Sequence, residues 1–407
     1  ERITLVAYAM GQPEIDAVAA VIRGGFLFRY GSKAAGWRGE VEKFENAFAK
    51  FIGVRYAVCT SSGTASLMTA LAALGVGKGD EVIVPGYTFM ATPLAVLSVG
   101  AVPVIADVDD GLGLDPLELE KKITRRTKAV IPVHMIGLVA NLGPILKIAR
   151  RRGIKVIEDV CQATGGKWRG RRLGSWGDAG AFSHNHYKTI SAGEGGTVTL
   201  NAKDHFQRAM IYQDAGAYFF DPRLRGFKPD VYFAGLNFRM SELLGAMLNA
   251  QFARLPGLLR RMNAIKRRMF KAFTGHPVCP AAPVHDLAGD CGKVLILRLA
   301  EPRLALKLGD ALGAKGLWCG TWFRSLETDR HIYQNWWPVL NKRGHFDPRQ
   351  DPYKTTPAGR AIRYDRKMCP RTLDLLSRSL SVPISPSWNA RKTQEMIRLV
   401  DRTARSL

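Results

Sequence analysis

From about Phe51 onward, short apolar β-like runs alternate with helical patterns, and no other feature of the sequence constrains the fold as tightly. Runs at 56–59, 81–84, 102–106, 129–133, 155–159, 179–183 and 197–200 predict strands, and helical patterns fall at 64–74, 116–121, 142–151 and 204–212. Helices placed between strands act as crossovers, so the expected core is an α/β fold, a mainly parallel seven-stranded sheet sandwiched by helices. Ahead of it, 13–23 opens on a proline and closes on Gly24-Gly25, and 41–51 carries apolar residues at helical spacing. The first fifty residues therefore predict a helical arm. A long amphipathic pattern at 240–262, expected to kink at Pro256, leads toward a linker candidate at 275–292. The apolar run 294–297 and helices near 303–312 and 393–404 predict a smaller C-terminal α/β lobe. The expected division is a large domain with its arm over 1–250 and a smaller domain over 251–407. Residues 334–363, rich in Trp, Pro, Lys and Arg, read as a long irregular loop and a candidate for substrate selection.

Composition removes several classes of function. The apolar runs fall short of the roughly 18 to 20 residues that span a bilayer, and no charged start followed by an apolar run stands at Glu1, so a cytoplasmic protein with no membrane partner is expected. Six scattered cysteines lack paired spacing and read as reduced thiols, with no zinc knuckle and no metal site. The formal charge of +24 is spread over separate elements, at 125–126, 150–152, 169–172, 260–261 and 266–271. It reads first as solvated helix faces, with a positive field that helps collect an anionic substrate as the second reading. A nucleic-acid partner is not expected, because no DNA- or RNA-binding module is visible.

Three motifs carry chemistry. Thr60-Ser61-Ser62-Gly63-Thr64 follows a strand and opens a helix whose free amides can hold a phosphate, although the same residues also serve as plain caps. Val156-Ile157-Glu158-Asp159 is an apolar strand ending in acid at the edge where α/β folds place ligands, although a lone terminal Asp is more often a solvated cap. Phe182-Ser183-His184-Asn185-His186-Tyr187-Lys188 precedes Gly193-Glu194-Gly195-Gly196, which puts a lysine between a strand and a turn that lets backbone approach a ligand closely. Together they match the needs of pyridoxal 5'-phosphate chemistry: an amine to condense with an aldehyde, a carboxylate to keep a pyridine nitrogen protonated, and a phosphate cup. Lys188, Asp159, and Gly63 and Thr64 with Ser183 supply them, in the chain order of a fold type I pyridoxal enzyme.

Over essentially its whole length the sequence resembles the DegT/DnrJ/StrS family of sugar aminotransferases. The carrying stretches are Ser61-Ser62-Gly63-Thr64-Ala65-Ser66, 84–92, Pro132-Val133-His134-Met135-Ile136-Gly137, Glu158-Asp159-Val160-Cys161-Gln162-Ala163, 183–196 and Gly235-Leu236-Asn237-Phe238-Arg239-Met240. The resemblance implies that Gly63 and Thr64 bind phosphate through their amides, Phe89 stacks on the pyridine ring and Asp159 pairs with its nitrogen. It further implies that Gln162 touches the phenolic oxygen, Ser183 a phosphate oxygen and Lys188 the aldehyde carbon. Asn237 would reach the phosphate of the neighbouring subunit, so a homodimer is implied too. Plain alternatives stand beside these roles: Phe89 as core, Gln162 as a surface cap, Asn237 as a turn residue, and His134 as a structural histidine instead of a ligand contact. The implied reaction moves an amino group from glutamate or glutamine to a keto or aldehydo sugar, carboxylated or nucleotide-linked, with Lys188 as anchor and base. Tyr87, Phe89, Trp322 and Tyr333 are expected walls that limit water.

Two stretches depart from the family pattern. His184 and His186 stand where aromatic, apolar or small polar residues are usual, and Asp214-Ala215-Gly216 stands where a histidine usually precedes the glycine. On a continued strand the two histidines would share a face, with His186 placed to assist acid-base chemistry near the lysine. They keep a second reading open: the same scaffold carrying out decarboxylation or oxygen-dependent oxidation of an amino acid or nucleoside amino acid. A cofactor-binding regulator or nucleic-acid binder is a more distant rival.

Overall fold

The computed structural model describes residues 9–216 and 231–407; the first eight residues of the expected arm lie outside them. The arm consists of helices α1 (Gln12–Gly24) and α2 (Glu40–Ile52). The core then runs β1 (Tyr56–Thr60), α3 (Gly63–Ala73), β2 (Glu81–Pro85), α4 (Ala91–Ser98), β3 (Val102–Ala106), α5 (Pro116–Lys122) and β4 (Thr127–Val130). It continues through α6 (Leu142–Arg152), β5 (Lys155–Asp159), the hairpin β6 (Lys167–Trp168) and β7 (Arg171–Arg172), β8 (Ala179–Ser183), β9 (Gly196–Leu200) and α7 (Lys203–Gln213).

Seven of these strands form one sheet in the order β1-β9-β8-β5-β4-β2-β3. Neighbours pair in parallel except around β9, which is antiparallel to both β1 and β8. Every residue of β2, β3, β8 and β9 is buried, which is why β2 and β3 read as nearly unbroken apolar runs, while β8 and β9 are built largely of small residues and threonines. The run expected at 129–133 forms a ladder only at Thr127–Val130. Pro132 has no amide to extend the ladder; its carbonyl instead accepts from the Asp159 amide at 2.9 Å, and Val133 keeps a single bridge to Asp159. Helix α4 gave no periodic signal because it is buried through most of its length and so has no polar face.

The amphipathic pattern at 240–262 belongs to a longer helix, α8 (Glu242–Phe273), which continues through Pro256 even though that residue offers no amide to the carbonyl one turn back. Helix α8 holds the arm. The Glu242 carboxylate accepts from the amides of Glu40 at 2.6 Å and Val41 at 3.1 Å, which finishes the N-terminus of α2. Gln251 donates to Glu14 of α1 at 2.9 Å. On the inner face of α2, Glu45 pairs with the Arg29 guanidinium at 2.5 Å and accepts from the Cys59 amide at 2.6 Å, while Arg29 donates to the Cys59 carbonyl at 3.0 Å, so this buried pair holds the arm against β1.

A second, antiparallel sheet in the order β10-β12-β11 contains β10 (Val294–Arg298), β11 (Gly320–Thr321) and β12 (Ser379–Pro383). Helix α9 (Pro302–Ala314) and the helix Ala390–Arg405 share a hydrophobic core with it. Residues 334–363 are not the irregular loop that their composition predicts. They contain the short helices Trp337–Leu340, Pro352–Thr355 and Pro357–Ala361, and they bury Trp336 and Tyr353 in the same apolar cluster as β2 and β3. Trp336 and Tyr353 are structural packing, Trp337 and Phe346 are exposed, and none of these residues lines the cavity described below. All six cysteines are free thiols. Among the described residues no helix is long and apolar enough to cross a membrane, and no cluster of three or more metal-ligating side chains occurs.

Candidate active site

A cavity of about 750 Å³ opens where β1, β5 and β8 give way to loops. Gly63, Thr64, Phe89, Asp159, Gln162, Ser183 and Lys188 all line it. Its floor starts at α3. The Ser62 hydroxyl accepts from the Ala65 amide at 3.1 Å, and the Ser62 carbonyl takes Ser66. The first-turn amides of Gly63 and Thr64 thus remain without an acceptor among the described residues. Glycine is required at 63 by close packing: a Cβ there would stand 2.7 Å from the Ser183 Cβ and 3.1 Å from the Cys161 sulfur. At Gly196, where β9 begins, a Cβ would meet the Ser62 carbonyl oxygen at 2.3 Å. The glycine-rich turn thus lets β9 pass directly beneath the head of α3.

Asp159 ends β5 and is buried. One carboxylate oxygen accepts from the Thr92 hydroxyl at 2.9 Å, and the other accepts from the Cys161 amide at 3.0 Å. Thr92 is itself 2.8 Å from Thr88, so the turn after β2 fixes the carboxylate. Gln162 uses its side-chain oxygen to accept from the Ile136 amide at 3.1 Å, which leaves its amide nitrogen for a ligand. Cys161 also lines the cavity; burial, with the charge of Asp159, pushes its thiol well above the ordinary range, so it is held neutral.

The segment 86–90 is clamped by 330–333. The Thr88 amide donates to the His331 carbonyl at 2.9 Å, the Met90 amide to the Arg330 carbonyl at 3.1 Å, and the Tyr333 amide to the Gly86 carbonyl at 3.0 Å. This register brings His331 to 5.2 Å from the Phe89 ring and places it 2.7 Å from Asp329, with both members of the pair lining the cavity. Their hydrogen bond holds the Asp329 carboxyl below the usual carboxylate range, against the opposing pull of burial. Phe89 is 43% exposed, so it is a cavity surface and not core. Tyr87 and Trp322 form wall, their rings at 5.8 Å, whereas Tyr333 does not: it is fully buried behind the site and donates to the Arg366 carbonyl at 2.7 Å.

Lys188 follows a turn in which the Asn185 side chain accepts from the Tyr187 amide at 3.2 Å and the Asn185 carbonyl from the Lys188 amide at 3.0 Å. That turn separates the two histidines that a continued strand would have put on one face. β8 ends at Ser183 and the chain bends at Asn185. His184 is fully buried, 2.8 Å from the Thr197 hydroxyl and edge-on to Phe44 and Phe48, and burial drives it down to about 3, so it is a neutral core residue. His186 is exposed, beside Tyr187 at 5.0 Å, and does not line the cavity. His134 is also buried, accepting from the Ala140 amide at 3.1 Å and lying 3.5 Å from Glu158. Asn237 lies outside this cavity, exposed, bridged to Asp214 and accepting from the Arg239 amide at 3.3 Å. Asp214, the departure at 214–216, forms an ion pair with Arg239.

The cavity also contains Lys293, just ahead of β10, and the Asp329–His331 pair, which no motif singled out, and Glu194 of the glycine-rich turn, which was given no role and accepts from Asn185 at 2.8 Å. Thr92 belonged to a recognised stretch but carried no assigned role.

Comparison with known proteins agrees with this geometry. The model of the DegT/DnrJ/EryC1/StrS aminotransferase family matches residues 9–306. The spore coat polysaccharide biosynthesis protein SpsC of Bacillus subtilis (strain 168) is 29% identical over 406 residues, covering 96% of this chain and 94% of that protein. GDP-perosamine synthase of Caulobacter vibrioides is 41% identical over 216 residues, a match that spans 53% of this chain and 57% of that synthase. Among solved structures, S. venezuelae DesV in complex with a ketimine intermediate superposes with a TM-score of 0.75 at 28% identity, covering 96% of this chain and 94% of that one.

Proposed function

The chain belongs to the DegT/DnrJ/EryC1/StrS aminotransferase family, and on that premise we propose that it transfers an amino group from glutamate or glutamine to a keto or aldehydo sugar, with pyridoxal phosphate held on Lys188. The observation that carries the proposal is the convergence of Lys188, Asp159, Gln162, Ser183 and the Gly63-Thr64 helix start on one cavity. These residues fit the cofactor. The unclaimed first-turn amides of Gly63 and Thr64, facing the cavity together with Ser183, suit a phosphate. When bound, pyridoxal phosphate supplies the electron sink for chemistry at the amino-bearing carbon.

The chain's own groups then have distinct tasks. Asp159, fixed by Thr92 and the Cys161 amide, holds a proton at the pyridine nitrogen. Gln162 presents its amide nitrogen to the phenolic oxygen, and Phe89 covers a ring face. The Lys188 amine takes the proton from the donor's α-carbon and returns it to the carbon that receives the amine. Tyr87 and Trp322 exclude water. Exposed Asn237 reaches the phosphate of a partner subunit, making the protein a homodimer; a fully active monomer at low concentration would exclude that part of the proposal.

The oxygen-dependent alternative was motivated by the paired histidines, and with His184 in the core and His186 in an exposed turn no observation now favours it. The test is to mix purified holoenzyme with L-glutamate or L-glutamine, follow the cofactor absorbance, then add candidate keto sugars with and without oxygen. Amine transfer that requires a carbonyl acceptor and ignores oxygen is expected. Oxygen uptake coupled to product without any acceptor would overturn the proposal.

A further inference from the structure

We propose that Lys293 forms a carboxylate subsite in the cavity and receives the α-carboxylate of the amino donor; the proposal rests on the aminotransferase reading above. Its backbone is fixed by the second sheet: the Lys293 carbonyl accepts from the Ile384 amide at 3.0 Å, and the next residue, Val294, pairs with Pro383. Its stem lies against Gly137, where a Cβ would stand 3.2 Å from both Lys293 Cγ and Cδ. Gly137 also has a φ of 90°, so the space that admits the lysine stem is built into the backbone.

Lys293 is half-buried and lines the cavity, and its ammonium has no charged partner there among the described residues. Lys266, the other lysine held inside this region of the molecule, meets Asp290 at 2.5 Å. Lys293 makes no side-chain hydrogen bond or ion pair with any described residue. The acids that line the same cavity are engaged elsewhere: Asp159 with Thr92 and the Cys161 amide, Glu194 with Asn185, and Asp329 with His331. Burial pushes the Lys293 ammonium down to about 8, and the nearby charge of Lys188 pushes in the same direction. An anion arriving in the cavity opposes both effects by favouring the charged ammonium.

The chemistry of the reaction indicates which anion. No arginine is among the described residues that line the cavity, so apart from Lys188 and His331 the only cationic side chain there is Lys293. Each donor amino acid brings a carboxylate one bond from the carbon at which Lys188 works. Lys293 is near enough to Lys188 to feel its charge, so one small molecule can engage both.

The test uses the holoenzyme and its Lys293→Met and Lys293→Arg variants. Glutarate binding is measured by calorimetry, L-glutamate by the change in cofactor absorbance, and the carbonyl acceptor by its KM. Lys293→Met is expected to weaken glutarate and glutamate by about 10- to 100-fold, as for loss of a charge-assisted contact, with Lys293→Arg recovering part of it and the resting spectrum unchanged. Unaltered glutarate and glutamate binding in Lys293→Met would overturn the proposal. A rise confined to the acceptor KM would also overturn it, because the anion would then belong to the acceptor. If wild-type enzyme transfers no amine to any carbonyl, the aminotransferase reading fails separately, and glutarate binding still reports on Lys293.

Discussion

The part of the cavity made by Ser62, Gly63, Thr64, Asp159, Gln162 and Ser183 comes from the ends of strands that share one sheet, whereas Lys293, Trp322, Asp329 and His331 come from the second sheet and a long connection. In the first group most polar atoms already have a backbone partner: Ser62 has Ala65, Asp159 has Cys161, Gln162 has Ile136 and Ser183 accepts from Asn185 at 3.3 Å. In the second group the side chains pair with each other, as Asp329 and His331 do, or with no described residue, as with Lys293. A lining pre-set by its own backbone suits a resident group that is always the same. A lining assembled from afar, with polar capacity unspent, suits a substrate that comes and goes.

Four variants would break or sharpen that contrast. Lys188→Ala should have the largest effect, with turnover falling by about 10⁴-fold or more through loss of anchor and base. Borohydride reduction and peptide mapping check it: cofactor trapped on Lys293 instead of Lys188 would exchange the roles of the two linings. Asp159→Asn should slow turnover by roughly 10²- to 10³-fold while the thermal unfolding midpoint stays nearly constant, because a neutral partner no longer stabilises a protonated ring. Near-normal kcat in that variant would remove Asp159 from the chemistry. In the second lining, His331→Gln should act on substrate binding, raising the acceptor KM by roughly 5- to 10-fold with the resting cofactor spectrum unchanged, as for one lost polar contact. A changed spectrum would place His331 with the cofactor. His186→Phe should alter turnover by less than about threefold, since the residue is exposed and outside the cavity. Abolished turnover with intact cofactor binding would restore the paired-histidine alternative.

The same contrast explains what could be read in the sequence. Gly63, Asp159 and Lys188 were legible because each stands at or just beyond the end of a strand, in a short local motif of distinctive residues: Gly63 opens α3 after β1, Asp159 closes β5, and Lys188 follows the turn after β8. Phe89 and Gln162 needed the family resemblance, since nothing in an apolar ring or an amide next to a strand announces a ligand. Lys293 and the Asp329–His331 pair had no local mark: they reach the cavity only through the pairing of 330–333 with 86–90 and of β10 with β12, both long-range. The paired histidines were misread because strand alternation was extended past Ser183, whereas the Asn185 side chain closes a turn there. Residues 334–363 were misread for the opposite reason. Their prolines and charges suggested a loop, but Trp336 and Tyr353 contribute enough apolar surface to pull the segment into the core.

The bond between Glu242 and the first turn of α2 joins residues 202 positions apart. On a ribosome adding about 5 to 20 residues per second, roughly 10 to 40 s separate the emergence of Glu40 from that of Glu242. Throughout that interval α2 has no acceptor for its leading amides, and Phe44 and Phe48 lack Phe252, the α8 ring they later pack against. The arm is thus the earliest part of the described chain to be made and one of the last to be finished, and a nascent chain stalled before α8 would display its aromatic face to whatever chaperone stands at the exit tunnel.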